Sequence, residues 1–369
     1  MERISIAEPK FNGNEKKYLM ECIDTGWVSA NGRFIKEFQE KFAEYHGSKY
    51  AIACCNGTVT LQLIVKALGI GPGDEVIMPT LTYVATANAV VSCGATPVFV
   101  DSDPDTWNVD PEAIERAITH KTKAIIPVHL YGLACDMTAI MNISTRYGIP
   151  VIEDAAEAHG AEWDGKKVGA IGKVGSFSFF GNKIITCGEG GMILTDDDDL
   201  YRKMTLLRSQ GVDPKKRYWH VVRGYNYRMT NMQAAIGLGQ LEQIEWHIAE
   251  RRRVAETYKR LFNEKLQDYV SIQKVNAPEN HVYWMNSVIL NDNVHKTRDE
   301  IMREMEQCGI EMRPLFYPMH VMPVYRDSSL HLPVAERLSE RGINLPSHSN
   351  MDGEKINYVV DSLKKCIEE

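Results

Sequence analysis

Lys183 lies in the stretch "SFSFFGNKIITCGEGGM" (176–192), with aromatic residues before it, two isoleucines after it and a run of glycines beyond. A lysine in such a setting either lays its stem on apolar surface and sends its amine to water, or is desolvated and becomes a nucleophile toward a carbonyl. Three other stretches bear on the choice. The apolar run "PVIED" (150–154) ends in Glu153 and Asp154. An acid at the C-terminal end of a buried parallel strand either caps the next helix or faces the ligand crevice, where it can pair with a protonated ring nitrogen. The turn "CNGT" (55–58) opens a helical pattern. Its free N–H groups, with Gly57, Thr58 and the Ser178 hydroxyl, suit a phosphate, although any threonine-bearing helix start reads alike. In "PTLTYVATANA" (79–89), Tyr83 is either core or a face for a flat ring. A Schiff-base lysine with an aspartate on a pyridinium nitrogen is the pattern that binds pyridoxal 5'-phosphate (PLP). The order Gly-Thr turn, aromatic, Asp, Lys, each at an expected strand end, is more specific than any member.

Those strand ends need a sheet. Short apolar runs, "EVIMP", "TPVFVD", "KAIIPVH" and "PVIED", alternate with helical periodicities near 59–68, 85–93, 111–118 and 136–146. Continuous apolar strands alternating with helices predict a mainly parallel sheet covered on both faces. Two further helices are expected over 14–25 and 33–46, a strand at "GMILT" and a helix over 197–208. A helical pattern of about 30 residues starts near Asn231, with "ERRR" (250–253) on its exposed side, longer than a typical helix. It leads toward a smaller α+β unit with strands at "YWMNSVIL" and "GINLP" and helices over 298–307 and 353–367. The division is placed after residue 240: a large PLP-binding α/β domain with its N-terminal helices over 1–240, and a smaller C-terminal α+β domain over 241–369.

The chain has 369 residues, is 44% hydrophobic and 25% charged, and carries a formal net charge of −7. No basic face or tail indicates nucleic acid. Eight scattered cysteines make neither a zinc spacing nor a disulfide framework, so no metal is expected. The opening "MERISIAEPK" has no apolar leader core, and no run is apolar enough to span a bilayer. A cytoplasmic enzyme with no membrane or nucleic-acid partner is the expectation.

Longer stretches carry a resemblance. "NGT" (56–58), "PTLTYVATANAV" (79–90), "GATPVFVD" (94–101), "VHLYG" (128–132), "EDAAEAHGA" (153–161), the lysine stretch and "GYNYRMTNMQAAIGLGQLE" (224–242) resemble the PLP-dependent sugar-nucleotide aminotransferases of the DegT/StrS type. That resemblance implies PLP-transferase fold type I, a large α/β/α domain with a mainly parallel sheet plus a smaller C-terminal α+β domain. It implies that Lys183 holds PLP and carries the proton, that Asp154 pairs with the ring nitrogen, and that Gly57, Thr58 and Ser178 hold the phosphate. Tyr83 would stack on the ring. Asn226 would reach the phosphate from a partner subunit, hence a homodimer with shared sites. Glu157 stands where many relatives carry Gln near the ring hydroxyl. Trp27, Ser29, Arg228, Tyr317 and His320 are the candidates for the sugar side; for His320 a packed or capping role reads equally well. "DTGWVSANGRFI" (24–35), "FFGNKIITCGEGGM" (179–192) and "RPLFYPMHVMPVY" (313–325) point to a GDP-linked 4-keto-6-deoxy sugar as acceptor and L-glutamate as donor. A UDP- or dTDP-linked sugar is the nearest alternative, and a non-catalytic sensor the remote one. A related branch that removes a hydroxyl has His at the lysine position, which Lys183 argues against.

Overall fold

In the computed structural model, residues 3–276 and 279–369 are described. A four-stranded and a three-stranded set form the main sheet, joined by parallel bridges Ile125–Val151 and Val128–Asp154. Across it the strands run Thr96–Val100, Glu75–Pro79, Thr122–Ile125, Ile152–Asp154, Val174–Ser178, Gly191–Thr195 and Tyr50–Cys54. All are parallel except Gly191–Thr195, which runs antiparallel to both neighbours. The parallel strands therefore end on one edge, where the loops bearing Gly57, Tyr83, Asp154 and Lys183 begin.

Alternate residues of each strand enter different cores. Ala53, Ile77, Val151, Met192 and Leu194 join one cluster with Phe38, Phe42, Phe177 and Phe179; Ile52, Met78, Ile152 and Ile193 join another with Leu61, Ile64 and Met204. Both faces are buried, which is why these strands read as continuous apolar runs. A third core, including Val254, Tyr258, Val288, Ile343 and Val359, surrounds a separate antiparallel sheet ordered Val270–Ile272, Asn286–Leu290, Gly342–Leu345, Arg313–Pro314.

The expected long helix after Asn231 is two helices, Asn231–Leu241 and Ile244–Lys265. The first is wedged between earlier helices: a Cβ on Gly237 would meet the Phe38 ring at 2.6 Å, and one on Gly239 would meet Glu15 at 2.7 Å. The break falls where Glu242 accepts from Asn14 Nδ2 at 2.7 Å and Tyr18 Oη at 2.8 Å. The second helix then turns toward the antiparallel sheet. Arg251, expected on the exposed side, is buried instead and donates to the carbonyls of Trp284 at 2.9 Å and Ser347 at 2.6 Å. Among the described residues no helix is long and apolar enough to cross a membrane, and no three His, Cys, Asp or Glu side chains are grouped to hold a metal.

Candidate active site

The parallel strand ends open on a cavity of about 430 Å³. Of the residues singled out in the sequence, Gly57, Thr58, Tyr83, Asp154, Glu157, Ser178 and Lys183 all line it.

The two acids of "IED" divide. Glu153 is fully buried and accepts N–H bonds from Gly169 and Ile171 at 2.7 Å and Gly172 at 2.6 Å, with His129 Nε2 at 3.1 Å. It is consumed in folding the 169–172 loop onto the strand. Asp154 points the other way, as strand neighbours must. Thr86 Oγ1 donates to its Oδ2 at 2.8 Å, and the Ala156 N–H donates to Oδ1 at 3.2 Å. Burial pushes its carboxyl above the usual range, against those two bonds and the Lys183 charge. A cationic partner in the cavity would relieve that desolvation.

Lys183 follows the strand Val174–Ser178. Burial lowers its amine below the ordinary lysine range, with Glu157 and Asp154 opposing. Glu157 lies 3.9 Å from Nζ, accepts from the Tyr131 N–H at 2.8 Å, and is pushed up to about 7 by burial. The Tyr131 backbone is left-handed, with φ 57°, a conformation that costs a non-glycine residue energy. Here it aims the amide at Glu157.

At the other end, the helix Gly57–Ala67 begins with Asn56 accepting from the Val59 N–H at 3.0 Å. The first-turn amides before it have no partner within the helix. A Cβ on Gly57 would meet Ser178 Cβ at 2.7 Å and Oγ at 3.1 Å. Only glycine lets the helix start approach the Ser178 hydroxyl so closely. Gly57→Ala is therefore expected to push the two apart and weaken cofactor affinity about tenfold, the scale of modest overpacking. Absorbance titration with PLP checks this, and an unchanged Kd would remove Gly57 from the phosphate cradle.

Amides and hydroxyls for an anion, a desolvated amine, and a buried carboxylate for a ring cation make a donor set that fits PLP. A family model for the DegT/DnrJ/EryC1/StrS aminotransferases matches residues 9–364. The chain belongs to this family. It is a PLP-dependent aminotransferase. It is 51% identical to a GDP-perosamine synthase of Caulobacter vibrioides over 100% of this chain and 99% of that one. It is 46% identical to one of Escherichia coli O157:H7 over 99% of each. The solved aminotransferase from Psychrobacter cryohalolentis superposes with a TM-score of 0.91 at 34% identity, covering 98% of this chain and 99% of that one.

Six singled-out residues do not line the cavity. Trp27, Ser29, Asn226 and Arg228 are exposed. The Trp27 and Ser29 carbonyls accept from Asn231 at 2.7 Å each, and Arg228 Nε donates to Asn226 Oδ1 at 3.0 Å. The Cys55 N–H donates to the Tyr227 carbonyl at 2.9 Å, so this backbone lies beside the phosphate-type helix start. Tyr317 points outward, its hydroxyl accepting from Arg298 at 3.1 Å. Its neighbour Phe316 lines the cavity instead, 5.9 Å from the Tyr83 ring. Adjacent side chains of an extended segment face opposite ways, so Phe316 faces the cavity and Tyr317 does not. His320 is buried between Thr80 Oγ1 at 2.7 Å and Glu336 Oε1 at 3.0 Å, the packed role rather than a sugar contact. Trp284, Arg313 and Asn344 also line the cavity and were missed. Arg313 and Asn344 come from the distant second sheet and Trp284 from the bend just before its strand Asn286–Leu290, and no local pattern ties them to the lysine.

Proposed function

We propose that this chain aminates C4 of GDP-4-keto-6-deoxy-D-mannose to give GDP-perosamine, with L-glutamate as donor, as a homodimer that shares its active sites. The observation that carries this reading is the 51% identity to a GDP-perosamine synthase along the whole chain. The cavity supplies the matching machinery. PLP, when bound, supplies an electron sink for charge developing at the donor's Cα.

Lys183 would hold the cofactor and, in each half-reaction, move a proton on Nζ between the cofactor and the substrate carbon: from the donor's Cα to the cofactor in the first, and from the cofactor to the sugar's C4 in the second. Asp154, fixed by Thr86, keeps the ring nitrogen protonated. The helix start at Gly57 with the Thr58 and Ser178 hydroxyls holds the phosphate, and Tyr83 covers the ring. Glu157, 3.9 Å from the Lys183 amine, would face the ring hydroxyl. Asn226 and Arg228 turn outward, as residues serving a partner's cavity must, and Trp27 and Ser29 share that exposure. The exposed apolar rings of Trp27, Tyr83 and Phe180 favour a covering subunit. Contacts to the nucleotide, remote from the chemistry, orient the sugar carbonyl.

The test starts from enzyme converted to its aminated-cofactor form with glutamate, then freed of glutamate and 2-oxoglutarate. Adding GDP-4-keto-6-deoxymannose should restore the visible band promptly, and product NMR should place the new amine on C4. A band that returns only with UDP- or dTDP-linked keto sugars would keep the aminotransferase and sink the GDP assignment.

A further inference from the structure

The Lys183 amine rests between an aromatic face and a carboxyl. Its Nζ lies 3.8 Å from the centroid of the Trp284 ring and 3.9 Å from Glu157 Oε1. Trp284 is held from three directions. Its indole N–H donates to the Asn182 carbonyl at 2.8 Å, its own carbonyl accepts from Arg251 at 2.9 Å, and its ring stacks on Tyr131 at 6.1 Å between centroids. Arg251 also donates to the Lys183 carbonyl at 3.4 Å. One buried guanidinium thus ties the backbone of the lysine to that of the tryptophan. The indole face is the strongest aromatic partner for a cation, and the attraction grows when water is excluded. Trp284 is 4% exposed.

We propose that Trp284 and Glu157 form a seat for the Lys183 ammonium whenever that amine is not bonded to the cofactor, making Trp284 a positioning residue for proton transfer. The inference rests on reading Lys183 as the cofactor-bearing lysine. A released lysine must keep the proton it has taken and stay beside the reacting carbon. Burial raises the Glu157 carboxyl above its ordinary range, which weakens it as a counter-ion. A full carboxylate alone would favour the ammonium so strongly that it became a poor proton donor, and an aliphatic wall would not hold it. The ring attracts the ammonium while having no proton affinity of its own. Asp154 faces the same amine, Glu189 and Arg313 line the same cavity, and His159 and Arg251 are buried behind it. Among these groups, Trp284 is the neighbour whose pull on the cation does not titrate.

The test uses enzyme loaded with pyridoxamine phosphate, in which the Lys183 amine is free. The pH dependence of Lys183 acetylation by trace acetic anhydride, read by peptide mass spectrometry, gives the amine's midpoint. Trp284→Leu is expected to lower that midpoint by about one pH unit, and Trp284→Phe by about half as much, the scale of a desolvated cation on a ring. With them, kcat should fall about tenfold with KM for the sugar nucleotide little changed. The phenylalanine variant keeps the test open if the leucine variant melts early. Equal midpoints in the wild type and a folded variant would overturn the seat. Failure of the underlying reading is separately visible, as a Lys183→Ala protein that still forms the lysine–cofactor band.

Discussion

Lys183→Ala is expected to abolish amination, lowering kcat by about 10⁴-fold or more, while the protein stays folded. In the proposed function one amine carries both duties, the covalent link to the cofactor and the movement of the proton. Among the described residues lining the cavity, Lys183 is the one amine. Arg313 lines the same wall, but a guanidinium does not deprotonate under working conditions and cannot act as a base. The fold should survive because the deleted group is a desolvated amine, whose burial opposes its charge. The visible band of the lysine-bound cofactor should vanish, and the melting temperature without cofactor should move by a few degrees at most. Turnover within tenfold of wild type would sink the assignment of Lys183.

Asp154→Asn should lower kcat by roughly 10²–10³-fold, the scale of removing one preorganised electrostatic partner. Asparagine keeps the shape: its one oxygen can accept from the Ala156 N–H while its Nδ2 donates to the Thr86 hydroxyl, so the geometry survives and the charge is lost. The band should still form, because the lysine is untouched. A stopped-flow measurement of the glutamate half-reaction isolates the effect, and an unchanged rate would free Asp154 from the ring nitrogen. The adjacent Glu153→Gln gives the contrast. Glu153 accepts three loop amides within 2.7 Å, and replacing it should reduce the melting temperature while leaving the kcat of folded protein close to wild type.

Much of this was legible in the residue order because the parallel strands are buried on both faces and read as apolar runs. Two strands of the same sheet gave weaker signals. Tyr50–Cys54 is built on small alanines, and Val174–Ser178 carries glycine and serine. Gly175 is there because a Cβ would strike the Gly169 carbonyl at 2.1 Å, a tertiary requirement that lowers the local strand propensity. The cofactor end of the site was readable because its residues sit at strand ends in a fixed order. Glu153 and Asp154 were separable only once the loop at 169–172 had claimed the first. The sugar side was hardest: Phe316 against Tyr317 is decided by which way an extended segment faces, and His320 by Glu336 and by Thr80, which lies 240 residues away in sequence.

The cavity wall draws on residues from Asn56 to Asn344. During synthesis the chain leaves the ribosome from its N-terminus, so the phosphate cradle, the aspartate and the lysine emerge long before Trp284, Phe316 and Asn344. A nascent chain stalled between them would display a reactive amine with no seat, no aromatic wall and no protection from water. The wall of the cavity is therefore complete only once nearly the whole polypeptide has been made.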